Sequence, residues 1–278
     1  NSYRPVSLEA LRAWVWKQLV RLSGSPRKRL VSEIIEGLKA DRIQGDDLEP
    51  GQWLNGERAP VDLLPVSNGL VDMGTGAHRE PDPSLFMLAA SPVAYDPDAQ
   101  CPEWLRFVES LWPGDADSQH ALQEWMGLML SRDTSHQKIG LLVGPPRAGK
   151  GVILRFCTEL MAPDNVSPPS LSGITNEFGL EPLVGKSVAL VSDARLGQGR
   201  DQAVLAERLL NISGEDRVTV SRKYRQPMHL RLGTRFWVAT NEMPRIADSA
   251  GALPNRFHPL KLERTWLGQE DPELQGRL

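Results

Sequence analysis

The chain has 278 residues, a formal net charge of −3 and 40% hydrophobic residues. That composition suits one large globular domain or two smaller ones, and without a basic excess any contact with nucleic acid must be local. Two cysteines, Cys101 and Cys157, lie in separate segments and the five histidines do not cluster, which argues against a disulfide framework or a zinc site. No apolar run approaches the roughly 18 residues of a membrane helix and no signal peptide is visible, so a cytoplasmic protein without a membrane partner is expected.

In chain order, residues 7–22 read as a helix with Ser7 as its cap and a stripe of Leu8, Leu11, Val15, Leu19 and Leu22. A second helix is expected over 27–39, with Leu30, Ile34 and Leu38 on one face. Arg27-Lys28-Arg29 reads first as a solvated helix start. Residues 44–100 are rich in Gly, Pro and Asp. Asn68-Gly69 marks a turn between short strands, and Tyr95-Asp96-Pro97 marks another. Two helices follow, lined by Trp104, Phe107, Val108, Leu111 and Trp112, then by Leu122, Trp125, Met126, Met129 and Leu130. Such stripes belong to a core. The domain division expected is 1–115, mainly helical with short strands, and 116–278.

From residue 139 onward strands and helices alternate. Ile139–Val143 is a buried strand that runs into Gly144-Pro145-Pro146-Arg147-Ala148-Gly149-Lys150, and a helix follows whose face carries Val152, Ile153, Phe156 and Leu160. This is G-x-x-x-x-G-K in the strand–loop–helix context that gives it meaning. Backbone N–H groups and the helix N-terminus then favour phosphate, with Lys150 reaching the β- and γ-phosphates. The bland alternative is a glycine-rich turn. The position after the lysine is Gly151, followed by Val152, where a Mg²⁺-binding Ser or Thr is usual. Further strands are expected over 187–192, ending at Asp193, over 235–240, ending at Asn241, and over 257–263, with a helix at 200–212 between the first two. The fold class is therefore α/β with a mostly parallel sheet, ligands binding at the carboxyl ends of the strands.

Those strand ends supply the remaining candidates. Asp193 suits Mg²⁺ and the attacking water, although the next residue is Ala194 and no second acid adjoins it. Asn241 suits orientation of water or reading of the γ-phosphate. Arg256 suits a neighbouring subunit's phosphate, with Arg245 as competitor. Between Asp216 and Phe236 stand Arg217, Arg222, Lys223, Arg225, Arg231 and Arg235 with no acid among them. Alternation on either side of Lys223-Tyr224 predicts a β-hairpin with a basic, aromatic tip, Arg222-Lys223-Tyr224-Arg225. Such a tip fits a DNA backbone and a stacked base.

Taken in order, Gly144–Lys150, the strand to Asp193, Leu210-Asn-Ile-Ser-Gly-Glu-Asp216, Arg222–Arg225, Thr240-Asn-Glu-Met-Pro244 and Asn255-Arg256 resemble the superfamily 3 helicase domain of phage and plasmid primase-helicases. Asn68–Asp72, Tyr95–Pro97 and Cys101–Trp104 are similar to the segment that precedes it. The resemblance covers roughly residues 65–278. It implies an AAA+ P-loop NTPase fold, ATP and Mg²⁺ as cofactors, and a ring, usually a hexamer, moving on single-stranded or forked DNA in a bacterial host cell. It also implies an N-terminal primase or primase-polymerase module. By the same resemblance Lys150 is the phosphate-loop lysine, Asp193 the Walker B acid, Asn241 the sensor, Arg256 the trans-acting finger, and Lys223 part of the channel hairpin. Asn1 is not an initiator methionine, and a helix starting at Asp271-Pro272-Glu273 stops at Leu278, so a fragment of a longer protein is expected. Two other functions stay open: a nucleotide-dependent DNA-binding module with weak hydrolysis, and a nucleoside monophosphate kinase, whose phosphate loop is similar but usually lies near the chain start.

Overall fold

The computed structural model describes residues 3, 6–41, 50–192, 200–243 and 251–278. In chain order its elements are α1 (Leu8–Ser23), α2 (Lys28–Asp41), β1 (Gln52–Trp53), β2 (Leu63–Val66), β3 (Gly69–Asp72), β4 (His78–Arg79), β5 (Leu85–Phe86), α3 (Pro102–Leu111), α4 (Ala116–Leu130) and β6 (Ile139–Val143). They continue with α5 (Lys150–Met161), β7 (Val166–Ser167), α6 (Leu171–Ile174), β8 (Val188–Val191), α7 (Arg200–Ser213), β9 (Arg217–Arg222), β10 (Arg225–Arg231), β11 (Arg235–Thr240), β12 (Phe257–Lys261) and α8 (Leu274–Arg277). None of the described helices is long and apolar enough to cross a membrane.

Two compact units result. One contains α1, α2, β1 and β5, being the chain up to Ala59 with Pro83–Leu88; the other takes in Pro60–Asp82 and Ala89–Leu278. The division expected at 115/116 differs from this one, because α3 packs on the phosphate-loop helix: Trp104 stacks on Phe156 of α5 with ring centroids 4.0 Å apart. In the smaller unit Ser7 Oγ accepts from the Ala10 N–H at 3.1 Å, capping α1 as expected. The apolar stripe is narrower than the sequence suggested. Val15, Val31 and Ile35 form the buried seam, joined by Leu11, Leu19 and Ile34, while Leu8, Leu22, Leu30 and Leu38 are exposed. A two-helix contact covers one narrow face of each helix, so residues at the edge of the stripe stay in water.

The larger unit is built on a five-stranded parallel sheet in the order β12-β6-β11-β8-β7. It is a P-loop NTPase fold, mixed α/β and preceded by a helical N-terminal region. β6, β8 and β11 are near-continuous apolar runs because helices cover both faces of a parallel sheet. One face packs on α3, α4 and α5, the other on α6 and α7. At its centre Trp237 of β11 is buried over Gly140 of β6, where an added Cβ would come within 2.5 Å of the indole. Trp125 of α4 stacks above it, ring centroids 6.4 Å apart. The edge strand β7, only two residues long between Pro163 and Pro168, carries no readable periodicity and reads from sequence as linker. The sheet order decides the site. β11 lies between β6 and β8, so the end of β11 opens beside the loop after β6, and the end of β8 lies one strand further away.

Candidate active site

The loop after β6 needs its glycines. A Cβ at Gly144 would meet the Leu262 carbonyl at 2.4 Å. Gly149 has φ +92°, and a Cβ there would lie 2.8 Å from Leu111 of α3. Loop and helix can join this closely only where there is no side chain. Gly149 gives α5 no side-chain cap, which leaves first-turn N–H groups for an anion.

Lys150 is nine-tenths buried, and its ammonium uses three donors: to the Gly144 carbonyl at 2.6 Å, the Pro145 carbonyl at 2.8 Å and Asn241 Oδ1 at 3.0 Å. Burial lowers its pKa from the ordinary lysine value. The lysine and the asparagine, 91 residues apart, thus meet in the lining of one cleft of about 760 Å³. Pro146, Arg147, Ala148, Gly149, Gly151 and Val152 also line it.

Two walls of this cleft carry residues not marked as site candidates in the sequence. One is α3, which contributes Glu103, Arg106 and Phe107. The other is the segment after β12. There the Thr265 hydroxyl donates to the Pro146 carbonyl at 2.7 Å, the Trp266 N–H donates to the Arg147 carbonyl at 3.1 Å, and Arg147 pairs with Glu270 at 3.4 Å. The phosphate loop is therefore strapped from outside. The sequence offered no periodic signal for this segment, only the apolar pair Trp266-Leu267 in a polar stretch.

The donors among the described residues fit a nucleotide's phosphates. Among the described residues no group of three or more His, Cys, Asp or Glu is placed to hold an ion. Gly151 has no hydroxyl, and Asp193 lies outside the described residues, as does Arg245. A Cβ at Gly151 would meet only Arg155 Nη1, at 3.2 Å, the mobile end of a side chain. Gly151→Ser is therefore expected to fold, to gain about 0.3 kcal/mol of helix stability, and, on the reading proposed below, to raise ATP turnover at limiting Mg²⁺. Turnover across a Mg²⁺ titration, with a melting curve, checks both. An unchanged Mg²⁺ dependence would mean that the hydroxyl supplies nothing here.

Arg256 is not in this cleft. It ends the 3-10 turn Leu253–Arg256, immediately before β12, and β12 pairs from Phe257 opposite Ile139 to Lys261 opposite Val143. Arg256 therefore sits at the start of the strands and the phosphate loop at their far end, about 17 Å along the sheet. Its guanidinium donates to Gln137 Oε1 and to the Gln137 carbonyl.

The basic segment forms the expected hairpin. β9 and β10 pair antiparallel, Arg222 faces Arg225, and Lys223-Tyr224 is the two-residue loop. Tyr224 has φ +60° and is 94% exposed, with Lys223 Nζ 5.2 Å from its ring centre. A tyrosine in the left-handed region, fully in water, is an uncommon arrangement. The cationic cluster is smaller than the sequence suggested. Arg235 is buried at the start of β11, where burial lowers its pKa to about 10 and its guanidinium donates to the Asp133 carbonyl. Arg231 pairs with Glu215 at 3.6 Å. Arg222 donates to the Gln226 carbonyl at 2.9 and 3.1 Å, and the Lys223 N–H points to Glu181 at 3.4 Å.

Comparison with known proteins fits this geometry. Residues 9–113 match the family described as D5 N terminal like, and residues 142–256 match a family of unknown function, DUF5906. Among solved structures the chain is similar to the apo structure of the NrS-1 C-terminal region, at 15% identity and a TM-score of 0.53, over 67% of this chain and 44% of that one. A second form of that region gives a TM-score of 0.51 at 15% identity, over 67% of this chain and 42% of that one. The JCV helicase is similar at a TM-score of 0.42 and 17% identity, over 62% of this chain and 48% of that one. The chain thus spans less than half the length of the solved chains it matches. It joins a D5 N terminal-like segment, residues 9–113, to a segment of a family of unknown function, residues 142–256, and shares its fold with the NrS-1 C-terminal region.

Proposed function

We propose that this chain is the motor part of a ring-forming DNA helicase or translocase, hydrolysing ATP at subunit interfaces and moving on single-stranded or forked DNA through its hairpin tip. The observation that carries the reading is the 3.0 Å contact between Lys150 and Asn241 in the cleft lining. It puts a cation for the β- and γ-phosphates beside an amide able to orient water, with uncapped helix N–H groups completing the cradle. Lys150 exchanges the Gly144 and Pro145 carbonyls for phosphate oxygens, a stronger charge-assisted contact. Asn241 then holds the attacking water in line. Asp193 is proposed to take the water's proton and to share Mg²⁺ with the phosphates, which the ion would shield. Arg256 is proposed to act from the neighbouring subunit, because its own phosphate loop lies at the other end of the sheet. The D5 N terminal-like match and the helicase-like fold support a replication role, with a primase or primase-polymerase module and a hexameric ring as its proposed partners.

The test is steady-state ATP hydrolysis with and without single-stranded DNA, followed by strand displacement on a fork. Stimulation of turnover by DNA is the expected result. ATP bound but not turned over, with DNA or without it, would favour the DNA-binding module suggested by Gly151. Phosphoryl transfer to a nucleoside monophosphate would favour the kinase.

The hairpin makes its own prediction. Tyr224→Ala is expected to weaken single-stranded DNA binding by ~1–3 kcal/mol, the worth of one stacked base. Lys223→Ala is expected to reduce the slope of log affinity against log salt by about one. Both side chains are at the exposed tip, so melting temperature should hold. Fluorescence anisotropy across a salt series measures each effect, and an unchanged affinity in both variants would remove the tip from the interface.

A further inference from the structure

The loop Thr134–Lys138, between α4 and β6, connects two parts of the motor that the sequence separates. On one side it holds the turn carrying Arg256. Lys138 Nζ donates to the Asn255 carbonyl at 2.7 Å, and Arg256 donates to Gln137 through both the side-chain oxygen and the backbone carbonyl, the latter at 3.3 Å. On the other side it holds the foot of the hairpin. Gln137 Nε2 donates to the Gly214 carbonyl at 3.3 Å, and the Thr134 hydroxyl donates to Glu215, which pairs with Arg231 of β10. Gly214 and Glu215 form the turn from α7 into β9, and a Cβ at Gly214 would lie 3.6 Å from the Arg256 guanidinium.

Gln137 is the one side chain of this loop with a hydrogen bond on each side. Its amide orientation follows from its partners: a guanidinium can only donate and a carbonyl can only accept. Its backbone sits at φ +53°, in the left-handed region that glutamine rarely adopts. A conformation of that kind persists where the surroundings over-determine it.

We propose that Gln137 is a positioning residue that couples Arg256 to the base of the DNA hairpin. The inference rests on the reading of Arg256 as a group that acts on a neighbour's nucleotide. A neutral amide oxygen is a weaker partner for a guanidinium than a phosphate is. When a neighbour's γ-phosphate draws Arg256 away, the amide of Gln137 loses its anchor and the Gly214 carbonyl loses its ordered donor. The turn feeding β9 is then free to shift, and the hairpin with it. After phosphate release Arg256 returns to Gln137 and the foot of the hairpin is fixed again. Force on the hairpin from DNA travels the same contacts in reverse, from Gly214 through Gln137 to Arg256.

Two variants separate this from a merely structural role. Glycine adopts φ +53° without strain, so Gln137→Gly removes the amide and leaves the backbone at ease. Gln137→Glu keeps an acceptor for Arg256, strengthens it with charge, and removes the donor to Gly214. ATP turnover with and without single-stranded DNA, nucleotide affinity from a fluorescent ATP analogue, and melting temperature are measured for both variants, for the unaltered chain and for Arg256→Ala. In Gln137→Gly, affinity, melting temperature and turnover without DNA should stay near the unaltered chain while stimulation by DNA disappears. In Gln137→Glu turnover should fall toward that of Arg256→Ala, because a carboxylate competes with phosphate for the guanidinium. Full DNA stimulation in folded Gln137→Gly, or unaltered turnover in Gln137→Glu, would overturn the proposal. Failure of the underlying reading shows elsewhere, as an Arg256→Ala chain with unaltered turnover or an unaltered chain indifferent to DNA, and either result removes the coupling as well.

Discussion

Replacing Lys150 with alanine is expected to lower ATP turnover by about a hundredfold or more, the loss usual when one preorganised donor to a developing negative charge is removed. The ammonium already stands in the cleft with its three donors aimed at two loop carbonyls and Asn241, so little reorganisation precedes its contact with phosphate. Its loss should cost little stability. The freed carbonyls border an open cleft where water replaces the ammonium, and each exchange is worth only about 1 kcal/mol. The melting temperature of Lys150→Ala should therefore stay close to that of the unaltered chain while turnover collapses. Turnover is read by phosphate release and integrity by thermal unfolding. A variant with the unaltered chain's turnover would show that hydrolysis, where present, is not performed at this loop.

The phosphate loop was legible in the sequence because its signal is local. A five-residue apolar run, two glycines that cannot carry a Cβ, and a helical stripe beginning at Val152 lie within about two dozen residues. The hairpin at Lys223-Tyr224 was legible for the same reason, since antiparallel pairing across a two-residue turn needs no distant partner. Parallel pairing is different. That β11 lies between β6 and β8 follows from the packing of the helices on both faces, and no residue within β11 announces it. Asn241 could be read as a strand end, but its contact with Lys150 could not.

Arg235 shows the opposite kind of limit. In the sequence it completes a basic run; in the structure it opens a strand buried along its whole length, with its guanidinium turned to the Asp133 carbonyl. Charge alone does not place a side chain, because an arginine at a strand terminus reaches a polar partner that periodicity cannot foresee. The outer strap of the phosphate loop escaped for a related reason. Thr265, Trp266 and Glu270 belong to an irregular segment with neither helical nor strand period, and they act by single contacts to Pro146 and Arg147. Gln137 lies in a loop as well, and its φ of +53° and its hydrogen bonds to Arg256 and Gly214 show only in the structure.

Arg256→Ala is expected to cut turnover by about a thousandfold, at the lower end of what a trans-acting arginine supplies, while ATP affinity changes little. On the proposed reading the effect is intermolecular, because the sheet register keeps Arg256 away from its own chain's phosphate loop. Arg256 precedes Phe257, which pairs with Ile139, whereas the phosphate loop begins after Val143. Five residue steps of parallel sheet, about 17 Å, separate the guanidinium's own backbone from the end of the strand that feeds the loop, further than an arginine side chain extends. Mixing makes this decisive. Lys150→Ala chains still carry Arg256, and Arg256→Ala chains still carry Lys150. In a mixed assembly some interfaces pair an intact lysine with an intact arginine, and turnover should recover above that of either variant alone. Recovery should grow with total protein concentration, because assembly is a mass-action equilibrium. If Arg256 acts within its own chain, the mixture will show only the average of two inactive variants at every concentration.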